Sequence, residues 1–253
     1  AVCDTENNRV LIWNSLPTDA SQAPDLIALG EAAGTYIPTG WPGLRFEGQD
    51  SSGVCFAGGK LYVSLGVGNR VVGFHGLPAS SAQLPDFVLG APDVFTDTSR
   101  ISPSHGFISN WNPIPKTDGA SLFVVGGQGT LSVWKTLPDR SGASPDSVFH
   151  LAAHGGLQDL AIAQGKLILV ANDRIVGWTS GLPTAATYPD FYVTGSIGTL
   201  TFNNLAGVSW DGTWLAVGDS GAKKIYVWNG LPIPPRLPDR TIDTGSFSPG
   251  RLS

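Results

Sequence analysis

The chain has 253 residues, 42% of them apolar and only 14% charged, with 33 Gly and 19 Pro. That apolar fraction excludes a disordered Gly/Pro polymer, the Gly and Pro demand many turns, and no stretch approaches the roughly 18 apolar residues that span a bilayer. A net charge of -5 argues against nucleic acid, which is met by a basic surface.

From the N-terminus, Ala1-Val2-Cys3 and then Arg9-Val-Leu-Ile-Trp13 read as two strands. Leu16-Pro17, a polar loop, Pro24-Asp25 and the apolar run Leu26-Ile27-Ala28 follow. The same order returns four times. RVVGF, TLSVW, RIVGW and KIYVW end on Phe74, Trp134, Trp178 and Trp228, as the first unit ends on Trp13. Leu-Pro then recurs at Leu77, Leu137, Leu182 and Leu231, and Pro-Asp at Pro85, Pro145, Pro189 and Pro238. β-branched and aromatic content makes these runs strands, and the prolines end their ladders. No window sustains a helical period, which excludes alternating β/α architecture.

Inner strands align as Gly53–Phe56, Gly106–Ser109, Asp159–Ile162 and Gly207–Trp210. Second strands contain Leu61-Tyr62-Val63, Leu122-Phe123-Val124, Leu167-Ile168-Leu169 and Trp214–Val217. Each unit thus supplies four antiparallel strands. The expected fold is all-β: one domain over residues 1–253, a five-bladed β-propeller. Blade one lacks an inner strand, and residues 249–253 are expected to complete it, a terminal-strand closure that hides exposed edges. Residues 31–52, 91–104 and 110–120 read as connections or insertions.

The phrases NNRVLIWNSLP, GNRVVGFHGLP and PDFVLG resemble the bacterial NHL-repeat propellers. The resemblance implies a propeller and a place among recognition modules or extracellular lyase-like enzymes. It also implies an extracytoplasmic, periplasmic or secreted location. Many of those propellers have six blades; five units are counted here.

Features present in every blade read as structural. Asp25, Asp86, Asp146, Asp190 and Asp239 are expected to tie loops to nearby amides, and the blade aromatics to fill the taper between sheets. Singular residues are better functional candidates. Before the inner strands stand Ser52, His105, Gln158 and Ala206, an unequal polar mouth suited to a small polar ligand or an extended segment. Tyr36, Trp41 and Arg45 in the first long connection add aromatics and charge of the kind that binds carbohydrate or peptide. His105, His150 and His154 are the candidate ligands of a divalent metal, the one cofactor considered, although no HExxH or Cys/His motif accompanies them.

Cys3 and Cys55 have three readings: one disulfide if the chain meets an oxidising compartment, two buried free thiols, or a redox or metal site. No nucleophile elbow, P-loop or dinucleotide motif is present, and no catalytic residue is assigned. The leading expectation is a ligand-binding or protein-interaction propeller. The alternative is a metal-assisted lyase-like or hydrolytic enzyme built on the three histidines.

Overall fold

The computed structural model describes residues 1–4, 9–19, 21–29, 53–65, 70–81, 83–94, 113–126, 129–151, 156–183 and 188–245. Every regular element among them is a strand. The chain is an all-β, five-bladed β-propeller, and its blades are antiparallel meanders in chain order. Blade one holds β1 (Val2–Asp4), β2 (Arg9–Ile12) and β3 (Leu26–Ala28). Blade two runs β4 (Val54–Ala57), β5 (Lys60–Leu65), β6 (Arg70–Phe74) and β7 (Phe87–Leu89). Blade three runs β8 (Ile114–Thr117), β9 (Leu122–Gly126), β10 (Thr130–Trp134) and β11 (Ser147–His150). Blade four has β12 (Leu157–Ala163), β13 (Lys166–Ala171), β14 (Arg174–Trp178) and β15 (Phe191–Thr194). A two-stranded hairpin, β16 (Ser196–Ile197) with β17 (Leu200–Thr201), precedes blade five. That blade holds β18 (Leu205–Trp210), β19 (Trp214–Asp219), β20 (Lys224–Asn229) and β21 (Arg240–Asp243). The segment expected to complete blade one, 249–253, lies outside the described residues.

The chain folds as two compact units, Ala1–Gly126 with Ser132–Ser147, and Gly127–Leu131 with Val148–Ser253. In the first unit, period-two alternation gives blade two an apolar residue set on each face. Leu61, Val63, Val72 and Phe74 join Val10, Ile12 and Ala28 of blade one. Tyr62, Val71, Phe87 and Leu89 join Leu122, Val124 and Trp134 of blade three. In the second unit, Ile168, Val170, Ile175 and Val193 pack with Val208, Leu215, Val217, Tyr226 and Trp228. Phe74, Trp134, Trp178 and Trp228 are buried as expected of blade aromatics, and Trp13 is half-buried.

The repeated Pro-Asp is a loop clasp. In each blade the carboxylate accepts the N–H of the residue after the blade aromatic. Asp25 takes Asn14, Asp86 His75, Asp146 Lys135, Asp190 Thr179 and Asp239 Asn229, at 2.5 to 2.7 Å. The indoles of Trp13, Trp134 and Trp228 donate into the same loops, to the carbonyls of Gln22, Ala143 and Arg236.

One inner strand departs from expectation. The inner strand of blade three is β8, eight residues beyond the run Gly106–Ser109 that the sequence suggested, which lies outside the described residues. β8 pairs with β9 as Ile114↔Val125, Pro115↔Val124, Lys116↔Phe123 and Thr117↔Leu122. The turn between them is closed by the Asp118 carboxylate, which accepts the N–H groups of Ala120 and Ser121. Pro113 and Pro115 hide this strand from a propensity reading, since proline is expected in a ladder only where one edge is unpaired. An innermost strand has such an edge. The β16–β17 hairpin was also unanticipated; Gly195 and Gly198, with positive φ of 64° and 58°, make its bends.

Candidate functional site

The unequal inner-strand positions survive in the second unit as bulges. The β12–β13 register shifts between Leu157 and Asp159, and the β18–β19 register between Leu205 and Gly207. The residues displaced are Gln158 and Ala206, the two positions singled out from the sequence. A bulge sets an extra residue outside the ladder and re-aims its side chain. Gln158 uses that freedom: its Nε2 donates to Asn172 Oδ1 at 2.8 Å, in the turn between β13 and β14.

Asn172 carries the path onward. Its carbonyl accepts the N–H of Leu205 at 2.8 Å, the first residue of β18. Next to it, Asn204 Nδ2 donates to Ser220 Oγ at 2.8 Å, and Ser220 Oγ donates to the Asn204 carbonyl at 3.0 Å. Ser220 follows β19 as Asn172 follows β13. Each blade of the unit therefore links the start of its inner strand to the turn after its second strand by polar side chains. The result is a polar rim of two side-chain pairs, Gln158–Asn172 and Asn204–Ser220, bridged by the Leu205 N–H, on the outside of the apolar core.

Two buried carboxylates support this rim from below. Asp219 Oδ2 accepts the N–H of Asn203, and its Oδ1 accepts those of Asn204 and Ala222. Asp159 accepts the N–H of Val208 at 3.1 Å and of Leu160 at 2.9 Å, bonding β12 to β18. Both are fully buried, so they position the rim and are not exposed to a ligand. Asn172 Nδ2 and Asn204 Oδ1 have no partner among the described residues, leaving one amide donor group and one amide acceptor on an exposed surface. Amide groups so placed are chemically able to hydrogen-bond neutral polar groups or peptide backbone. The surface holds no paired acid and base for proton transfer.

The histidine reading is corrected by the position of β8. Pairing Pro115 with Val124, as Val54 pairs with Val63, makes Pro113 the counterpart of Ser52 and Gln158. The alignment that set His105 beside those positions therefore does not hold. His105 and His154 lie outside the described residues, as do Ser52, Tyr36, Trp41 and Arg45. His150 is exposed at the end of β11. Among the described residues no three His, Cys, Asp or Glu side chains gather as a metal site.

Cys3 and Cys55 are not joined by a disulfide. Strand alternation gives the reason. Val54 and Cys3 pack with the blade one–blade two core, whereas Cys55 packs with the core on the other face of blade two. Cys55 pairs with Tyr62, whose hydroxyl donates to the Pro138 carbonyl at 2.9 Å on that same face. Burial pushes the Cys55 thiol up to about 12, with Lys116 pulling the other way and Cys3 adding to the rise. A thiol so held is neither a nucleophile nor a ready metal ligand.

No protein-family model matches the chain, and no curated protein matches it. Among solved structures, the WD40 β-propeller domain of Doa1 superposes with a TM-score of 0.51 at 14% identity, over 79% of this chain and 57% of that one. The mitotic checkpoint complex contains a chain matching at TM-score 0.49 and 16% identity, over 78% of this chain and 52% of that one. The fold is that of a β-propeller. The chain spans little more than half the length of these two solved chains. At such identities the likeness extends to architecture alone.

Proposed function

We propose that this propeller is a noncatalytic binding module of the NHL-repeat kind, working outside the cytoplasm, and that it holds a small polar ligand or an extended partner segment on the Gln158–Asn204 rim. The observation that carries the reading is the pair of bulges at Gln158 and Ala206, each beside a turn residue with hydrogen-bonding side chains. Repetition elsewhere serves the scaffold; here equivalent positions differ, as selective recognition requires. The extracytoplasmic setting rests on the sequence resemblance, and fractionation of the native host tests it.

The binding test is a screen of soluble oligosaccharides and peptides, followed by calorimetric titration of each hit against wild type, Gln158→Ala and Asn204→Ala. Losing one charge-neutral hydrogen bond should weaken binding by about 0.5 to 1.5 kcal/mol per variant. Hits that bind both variants as tightly as wild type would place recognition elsewhere.

A further inference from the structure

The outermost strand of blade five differs from its counterparts. All four residues of β21 are exposed, whereas β7 is wholly buried and β15 alternates buried with exposed. Its register on β20 is Lys224↔Asp243, Ile225↔Ile242, Tyr226↔Thr241 and Val227↔Arg240. Thr244 N donates to the Lys223 carbonyl at 3.0 Å in the same register. That bond makes Ile225 and Ile242 a pair that exchanges hydrogen bonds, so Ile242 spends its N–H and C=O on β20. Thr241 and Asp243 then turn theirs to the open edge.

We infer that this edge pairs with β21 of a second copy of the chain, giving a two-fold dimer with a sheet continuous across the axis. Residues directly opposite in an antiparallel ladder must both face the junction or both face away. Two-fold registers centred on Thr241, Ile242 or Asp243 all satisfy this, and only the one centred on Ile242 uses both edge-facing residues of the strand in both copies, setting Thr241 against Asp243 of the other copy, twice, with Ile242 meeting its own counterpart on the axis. The chemistry matches in that register. Thr241 offers a hydroxyl donor to a carboxylate whose Oδ1 already takes the Gly245 N–H, leaving Oδ2 to accept it. Lys224, across from Asp243 on β20, supplies a cation beside each carboxylate. Ile242, half-exposed in one copy, lies in the closely spaced pair where side chains approach best. Arg240 packs over the Trp214 ring at 5.9 Å on the same face, extending the surface around the axis.

A four-residue ribbon covers less than the roughly 1,600 Å² of a stable interface, so association belongs to the high-micromolar range. Sedimentation velocity of the 253-residue chain over increasing concentration is the test. The expected result is a concentration-dependent dimer that Ile242→Lys and Thr241→Pro each weaken about tenfold or more. Ile242→Lys puts like charges on the axis, and Thr241→Pro removes an edge-facing N–H and the junction hydroxyl without touching a backbone bond to β20. Circular dichroism and thermal melting accompany both variants, and either one that stays folded suffices. A chain monomeric into the high-micromolar range overturns the inference. So does a dimer that persists in a folded variant, or an edge that takes up a foreign strand while the chain stays monomeric.

Discussion

Gly73 and Gly177 occupy positions where no side chain fits. A Cβ on Gly73 would lie 2.0 Å from the Phe87 ring, and one on Gly177 2.1 Å from the Phe191 ring. Each glycine is the cross-strand partner of that phenylalanine, and where the outer strand starts with Leu26, Ser147 or Arg240 instead, the facing chain reads LIW, SVW or YVW. The ring lies down over the backbone that glycine bares. Gly73→Ala is therefore expected to cost about 1 to 3 kcal/mol by overpacking, and Gly73→Ala with Phe87→Leu to recover part of it, as read by denaturant unfolding. Additive losses in the double variant would contradict the pairing. At Cys55 the expectation is chemical silence. In the folded protein a thiol reagent should leave Cys55 unmodified, and nonreducing peptide mapping should find no Cys3–Cys55 bond. Rapid labelling of Cys55, which is partly buried, would show that its raised pKa does not protect it.

The Pro-Asp clasp is the element most open to pH. Asp190 is held below the ordinary carboxylate range first by the Thr179 N–H, and Asp239 first by the Asn229 N–H and then by Arg236. A carboxyl that binds protons less readily folded than unfolded contributes stability above its unfolded pKa, about 3.9 for Asp, and loses it as pH falls through the lower folded value. Thermal midpoints are therefore expected to hold steady toward about pH 4 and fall below it. Asp239→Asn should start lower and show a shallower acid decline. An unchanged acid slope would remove the clasp as its cause. These clasps were legible from sequence because they recur: five Asp residues, each 11 or 10 positions beyond the residue that follows a blade aromatic, have few explanations other than a shared loop. The rim was only partly legible. Gln158 stood out by differing from its counterparts, but Asn172, Asn204 and Ser220 sit in turns, where Asn and Ser are so common that their type carries no signal.

Across the whole chain, five blades were countable because each is built of sequence-local hairpins and marked by a Leu-Pro followed seven or eight residues on by a Pro-Asp. What escaped was where the outer marker gives way to variable connection. The inner strand of blade three was misplaced because Gly106–Ser109 resembles its neighbours and Pro113-Ile-Pro115 does not, while pairing to Leu122–Gly126 decides the matter by tertiary fit. With that strand went the warrant for His105. Net charge sets a further expectation. The chain carries -5 at pH 7 and a pI near 5.2, so solubility should be least near that pH and recover on either side. A turbidity profile that is flat through the pI would show that exposed apolar groups, not charge, govern its solubility.

The loop after β20 shows what the clasp makes available. Asp239 holds the Asn229 N–H, Arg236 holds both the Asn229 carbonyl and Asp239, and Trp228 holds the Arg236 carbonyl. Every one of these bonds begins and ends within one blade. Beyond the buried Pro232, residues 233–235 are exposed and are thus spanned by a lock that does not consult them, with Ile233 half-exposed. Such a loop is a transplantable cassette. Foreign peptide written between the two ends of the lock would be displayed on a rigid stem, and variation there would be nearly free of cost to the fold that carries it.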